Sequence, residues 1–259
     1  MLMLKKSQIT IFIILFILLL LLFAFSFFYV ENLYAQSESA VIASPDKVLL
    51  RSYITSCIDL NARQVFYDFG MQGGTFNQSK PMLVLNYNDD ITNITFLYDK
   101  GDFRLPPLKK WEEILSSKIN YKIKDCIFQD EIKHYDLNYL EPESFVEFQG
   151  NQTFLTVFWP VVLNMDSLSY DILEPYVFSY SINFIHIYDD VFDILALNYF
   201  NPNSIEFANL VYLNTSLYLN AIDNIIIYTL FDPSSSLDNR PYQFNFASRF
   251  NHSWVPSDE

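Results

Sequence analysis

The sequence predicts an α+β domain of mostly antiparallel sheet, carried behind a single N-terminal transmembrane helix. Three observations predict it. Residues 9–28 are twenty consecutive residues, all apolar except Thr10 and Ser26. After them, segments with apolar residues every three or four positions alternate with pairs of short extended segments joined by turn residues. The chain also holds 25 Phe and 18 Tyr, enough to bury a real core.

The first segment is long enough to span a bilayer. At 1.5 Å per helical residue, twenty residues reach roughly 30 Å, the thickness of the hydrocarbon core. Seventeen of the twenty are Leu, Ile or Phe. At about 0.4 kcal/mol each, they favour insertion by on the order of 7 kcal/mol. Lys5 and Lys6 precede the run, and no Lys or Arg follows until Lys47. The positive-inside bias then places the N-terminus in the cytoplasm and the rest outside the cell membrane. The expected organisation is a cytoplasmic basic start at 1–8, a transmembrane anchor at 9–30 seated in the lipid bilayer, a juxtamembrane spacer at 31–43, and an extracytoplasmic α+β domain at 44–259. A cleaved signal peptide is the competing reading. Its apolar region would run 7 to 15 residues and end in small residues at −3 and −1. Here Leu33-Tyr34-Ala35 has Leu at −3, and Ser37-Glu38-Ser39 lies far from the apolar run.

Ser44-Pro45-Asp46 is a helix start, with an N-cap residue, proline at the first helical position and an acid in the first turn. Leu50, Ile54, Cys57, Ile58, Val65 and Phe69 form its apolar stripe, and Gly70 is read as its stop. Gln72-Gly73-Gly74 makes a turn that uses glycine's freedom. Residues 82–87 and 91–98 are two strands joined at Asn88-Asp89-Asp90. Pro106-Pro107 opens a second helix with the stripe Trp111, Leu115, Ile119, Ile123 and Cys126. A second hairpin follows at 144–149 and 152–159, turning at Gly150-Asn151. Its second strand alternates Phe154, Thr156 and Phe158 with Leu155, Val157 and Trp159, which predicts burial on both faces. Residues 183–199 fit a third helix through Phe184, Ile187, Val191, Ile194 and Leu195. The last part is strand-rich, at 217–231 and 242–250. Ile225 to Phe231 is read as a strand buried on both faces, and Asp232 to Pro241 as the loop to an antiparallel partner. Hairpins need no crossover helices, so a doubly wound parallel sheet is not expected.

The formal net charge is −14, and without Lys5 and Lys6 the remainder carries 14 basic against 30 acidic residues. That balance argues against a nucleic-acid partner, whose phosphates require a basic surface, and against binding to anionic lipid headgroups. Solubility of an exported domain is the simpler reading of the acidity, and cation binding or a highly saline habitat is the functional one. Cys57 and Cys126 both fall in the exported part. An oxidising exterior permits a disulfide, and closing a loop of about 70 residues would contribute about 4 kcal/mol. Two buried free thiols are the alternative. Two cysteines and three scattered histidines do not make a zinc site of the usual spacing. Asn-x-Ser/Thr triplets stand at Asn77, Asn93, Asn151, Asn214 and Asn251, candidate glycosylation positions.

Two clusters could carry metal chemistry. His186, Asp190 and Asp193, with Asp189 beside them, could share a helix face at i, i+4 and i+3 spacing. A solvated acidic face opposite the Phe184 stripe is the simpler reading. Asp232, Ser234, Ser236 and Asp238 alternate faintly like a calcium loop, but Leu237 stands where such a loop needs glycine and no Glu closes it. A polar surface loop is the simpler reading there. Gly73-Gly74 could let a ligand approach, or serve as a structural turn. No Gly-x-Ser-x-Gly elbow, Walker loop, dinucleotide fingerprint or His-Glu-x-x-His helix is present, and no cofactor is expected.

Several stretches resemble a family of membrane-anchored proteins from small-genome archaea, the DPANN group. Lys5-Lys6-Ser7-Gln8-Ile9-Thr10-Ile11-Phe12 is similar to its short basic start, Gln and long apolar helix. Tyr53 to Cys57 followed by Phe69 to Gly74 resembles its cysteine-bearing helix with a Gly-x-Gln-Gly-Gly turn. Pro106 to Cys126 resembles its second such helix, and Asn239 to Ala247 a stretch near its C-terminal end. The resemblance implies location and architecture, not chemistry. The start also resembles an archaeal type IV pilin signal cut before Gln8, with the departure that Phe12 stands where such pilins place Glu. The leading expectation is a single-pass envelope protein with a binding or scaffolding exterior domain and an envelope protein as partner. The alternatives are a pilin-like filament subunit and an exported hydrolase.

Overall fold

The computed structural model describes residues 45–76, 82–87, 90–127, 136–165, 168–201, 210 and 212–251. The chain divides into two units, Met1–Leu49 and Leu50–Glu259. Among the described residues, the second unit holds every strand and all but the start of the first helix. The expected anchor at 9–30 lies outside the described residues. Among the described residues no helix is long and apolar enough to cross a membrane.

The architecture is α+β with mostly antiparallel sheets, as the alternation of helices and hairpins predicts. Helix α1 spans Pro45–Met71. Its apolar stripe is buried from Leu50 through Phe69, and Ala62 and Phe66 join it. The helix does not stop at Gly70 but continues through it to Met71. The cap that closes it follows at Gly73 and Gly74. Gly73, at φ +76°, donates to the Gly70 carbonyl, and Gly74, at φ +79°, donates to the Phe69 carbonyl, which closes a left-handed cap. Gly70 serves a different need. A Cβ there would lie 2.2 Å from the Gln243 carbonyl oxygen and 2.7 Å from the Tyr242 hydroxyl, so only glycine lets the helix backbone reach the neighbouring strand.

Strands β1 (Met82–Tyr87) and β2 (Asp90–Asp99) form the first expected hairpin, and the short β3 (Asp102–Phe103) turns back onto β2. Helix α2 (Leu108–Ile123) begins after Pro107 and runs into a 3-10 turn, Lys124–Ile127. Trp111, Leu115, Ile119, Ile123 and Cys126 are all buried along its stripe. Strands β4 (Asp136–Tyr139), β7 (Val161–Met165) and β8 (Leu168–Ile172) form one antiparallel sheet, in the order β4-β7-β8. Strands β5 (Glu143–Gln149), β6 (Gln152–Phe158) and β9 (Tyr176–Tyr180) form another, in the order β5-β6-β9. The β5–β6 hairpin falls where expected, but β6 is not buried on both faces. Thr153, Leu155 and Val157 are buried, whereas Phe154 and Thr156 are half-buried and Phe158 is exposed. The β5-β6-β9 sheet has one face against the core and one toward solvent, so apolar residues on both faces of β6 do not mean two buried faces.

Helix α3 (Phe184–Phe200) is capped by Asn183, whose side chain accepts from the His186 amide. Strands β10 (Ser216–Ile222), β11 (Ile225–Leu237) and β12 (Arg240–Arg249) complete the largest sheet, in the order β1-β2-β12-β11-β10. Within it β12 pairs antiparallel with β11 and parallel with β2. The expected loop at 232–241 is instead strand. β11 bulges between Asp232 and Ser236, resumes pairing, and turns through Asp238 and Asn239, both at positive φ, a two-residue hairpin connection.

Aromatic rings fill the centre of the core. Phe69 lies 5.5 Å from Trp111 and 5.7 Å from Phe184, and Trp111 lies 5.1 Å from Phe244, joining all three helices to β12. On the other face of the large sheet, Ile94, Phe96, Ile227 and Ala247 form a small second cluster. The expected strand at 225–231 is therefore not fully covered on both faces: Ile226, Tyr228 and Leu230 face the main core, but on the opposite face only Ile227 is buried, in this cluster, while Ile225, Thr229 and Phe231 are half-buried.

Replacing Gly70 with alanine should force α1 and β12 apart and lower the unfolding free energy by about 1–3 kcal/mol. Urea titration of the full chain in detergent checks this. A change within about 0.5 kcal/mol would mean that the close approach contributes nothing.

Candidate functional site

The cysteines come together. Cys57 on α1 and Cys126 in the turn after α2 have Cα atoms 5.9 Å apart and sulfurs at bonding distance. Asn61, one turn beyond Cys57, donates to the Cys57 carbonyl and holds its amide nitrogen 3.4 and 3.6 Å from the two sulfurs. The pair ties the middle of α1 to the end of α2.

The acidic clusters serve the fold. Asp190 does not share a solvated face with His186, Asp189 and Asp193, which are exposed. It is 1% exposed, and its carboxylate accepts from the Asn214 amide and side chain and from the Thr215 amide at 2.8–3.1 Å. A buried carboxylate filled with N–H donors anchors the entry to β10 on α3. Although Asp193 is exposed as a residue, partial desolvation of its carboxyl, aided by the Asp190 and Asp189 charges, raises it above its ordinary range. Nor is Asp232 part of a surface loop. It is buried, accepts from the Ser234 amide and hydroxyl and from the Ser235 hydroxyl, and shapes the β11 bulge. Ser235 in turn accepts from the Asn183 amide at the start of α3. Among the described residues no group of three His, Cys, Asp or Glu could hold a metal ion.

Gly73 and Gly74 make the turn, not a ligand approach. A Cβ on Gly73 would lie 2.6 Å from the Asn245 carbonyl, and one on Gly74 would lie 3.0 Å from the Trp111 ring. Of the glycosylation candidates, Asn77 lies outside the described residues. Asn151 is exposed on the β5–β6 turn, Asn93 is half-buried in β2, and Asn251 is exposed after β12. Asn214 is exposed as a residue, but its side-chain amide already donates to Asp190.

A cleft of about 640 Å³ lies between the outward face of α1 and the β11–β12 hairpin. The helix contributes Leu60, Arg63, Gln64 and Tyr67, and the hairpin contributes Phe231, Leu237, Asp238, Arg240 and Gln243. This is the size of a small-ligand site. Its inner wall is an ordered charge network. The Arg63 guanidinium bridges Asp59 at 2.9 Å and Asp238 at 2.8 Å and lies 5.5 Å over the Tyr180 ring. The Tyr180 hydroxyl donates to Asp59, and its pKa is pushed far up by burial and then by the Asp59 charge. Arg63 is therefore neutralised. Arg240 is not. Arg51, Arg63, Arg104 and Arg249 each contact a carboxylate, whereas exposed Arg240 has no carboxylate partner among the described residues.

A second hollow, of about 550 Å³, shares Phe231 and Pro241 with this cleft and extends over Ser216, Tyr218 and Thr229. The Tyr218 ring meets Phe231 edge-on at 5.4 Å. Tyr67, Phe231 and Tyr218 are thus aromatic surfaces along one groove. Sequence reasoning did not find it. Its walls come from segments some 170 residues apart, and Asn239-Arg240-Pro241 stood out only as part of a resemblance.

Comparison with known proteins returns no match: no family model fits the chain, and no curated protein or solved structure is significantly similar to it.

The sulfur link closes a loop spanning 69 positions, so its loss should release about 4 kcal/mol of denatured-state entropy. A Cys57→Ala/Cys126→Ala chain is expected to unfold about 2–5 kcal/mol more easily than the oxidised protein in urea, and addition of reductant should not change it further. Equal stability of the two chains would contradict the staple.

Proposed function

We propose that the protein is a single-pass, membrane-anchored cell-envelope protein whose acidic extracytoplasmic domain binds or scaffolds an envelope component. The observation that carries this reading is the buried Cys57–Cys126 pair at bonding distance, in the domain that follows the apolar run. Such a pair persists as a disulfide outside the reducing cytoplasm. The run at 9–28 and the preceding Lys5 and Lys6 supply the anchor and its orientation. The acid excess suits an exposed domain and disfavours nucleic acid, whose densely spaced phosphates require a broad basic surface. Exposed Asn151, on a turn, is the sequon best placed to carry a glycan.

Intact cells carrying the chain should lose the domain to added protease, carbonate washing should leave the chain in the membrane, and maleimide should label no free thiol in the exported form. Release by carbonate, or protection from protease in intact cells, would overturn the assignment. Mass spectrometry of the mature N-terminus separates the two anchored readings, because a chain beginning at Gln8 is a pilin-type subunit.

A further inference from the structure

We infer that the groove between α1 and the β11–β12 hairpin binds an acidic saccharide chain, with a sugar carboxylate held by Arg240 and sugar rings laid on Tyr67, Phe231 and Tyr218. The inference deepens the binding role proposed above and rests on it for access to extracellular glycans.

Four observations converge. The first is charge. In a chain with 30 acidic and 16 basic residues, an arginine left without a carboxylate is an uncompensated cation in an anionic field. Among the described residues Arg240 is in that state while the other four arginines are paired. Its planar fork matches a carboxylate with two parallel hydrogen bonds. The second is the state of Arg63. Asp59 and Asp238 already occupy it, so it stiffens the wall and leaves Arg240 as the anion site. The third is the aromatic surface. Tyr67 is 51% exposed and Tyr218 is 64% exposed, and each presents an apolar ring with a polar tip. Rings of this kind accept the C–H faces of sugars while their hydroxyls stay hydrated. The fourth is shape. Two hollows of about 640 and 550 Å³ meet at Phe231 and Pro241, giving an elongated groove suited to a chain more than to a single compact molecule.

The groove's polar side chains fit this ligand. The Gln64 amide donates to Asp68, and the Gln243 amide donates to Asn245, which leaves each side-chain oxygen free to accept from a sugar hydroxyl. An extended acidic peptide would also offer carboxylates. It would seek unpaired main-chain groups along a strand edge, whereas from Ile225 to Phe231, where the two hollows meet, β11 is paired on both sides, by β10 and β12.

The test uses the full-length chain in nanodiscs and measures binding calorimetrically. A short oligogalacturonate should bind, more weakly as salt rises, and a neutral cello-oligosaccharide of the same length should bind about tenfold or more weakly. Arg240→Ala should cost about tenfold or more in affinity, with Arg240→Lys close behind because a point charge lacks the fork. Tyr67→Ala should weaken binding of the acidic and the neutral chain alike. An unchanged melting temperature for each variant keeps the comparison at the level of the site. The inference is overturned if oligogalacturonate does not bind, if Arg240→Ala binds it as wild type does, or if oligoglutamate binds as tightly as the uronate. Protease accessibility and carbonate resistance do not depend on Arg240, so failure here would leave the anchored-envelope reading standing.

Discussion

At Gly70 the backbone of α1 comes so close to β12 that a methyl group would sit 2.2 Å from the Gln243 carbonyl. Around that point the two elements are locked by specific bonds. The Tyr242 hydroxyl donates to the Phe66 carbonyl at 2.7 Å, and burial pushes its pKa well above the ordinary tyrosine value. The turn after the helix reaches the next strand over, where the Thr95 amide and hydroxyl both donate to the Gln72 carbonyl. One helix end is therefore fastened to β12 and β2, the two strands that pair in parallel. Cys57, Arg63 and Tyr67 occupy the same helix, so its seating sets where the sulfur link forms and how wide the groove opens.

The remaining elements are held by polar groups that satisfy backbone ends. The free edge of β5 faces α2, where Ser116 accepts from the Val146 amide and Glu112 accepts from the Phe148 amide. An otherwise open strand edge is covered by helix side chains. Helix α3 is tied to the large sheet through a buried chain in which the Tyr228 hydroxyl donates to Asn198 and Asn198 donates to Ser248. At the end of β2, buried Asp99 takes Arg249 on one oxygen and Arg104 on the other. The hydrogen bond from Arg249, more than any other influence, holds its carboxyl below the usual range. These bonds add direction to a core that apolar packing alone would leave free to slide.

The parts of the fold legible in the sequence are those with local signals. The stripes of α1, α2 and α3, the Gly73-Gly74 turn and two hairpins are written in spacing and turn residues. What was not legible is non-local or ambiguous. Strands β4, β7, β8 and β9 are four or five residues long, too short for period two to stand out. Asp232 to Asn239 carries the proline, serines and aspartates of a loop, yet most of it extends β11, because a bulge absorbs the irregular residues and Asp232 satisfies its polar groups. Asp190 carried the right residue type for a solvated face, and only its long-range bonds to Asn214 and Thr215 reveal a buried anchor. The parallel β2–β12 pairing has no sequence signature, since about 140 residues separate the strands. The Cys57–Cys126 pair was legible because only two cysteines exist.

All of this places β12 at the centre: it pairs on both sides, carries Phe244 and Phe246 into the aromatic core and receives α1 on its backbone. The most direct test is a chain ending at Pro241, which removes all but the first two residues of the strand and leaves β2 and β11 each with an open edge. The account predicts loss of the cooperative thermal transition and association through the exposed edges of β2 and β11. A folded monomer with the melting temperature of the full chain would contradict it.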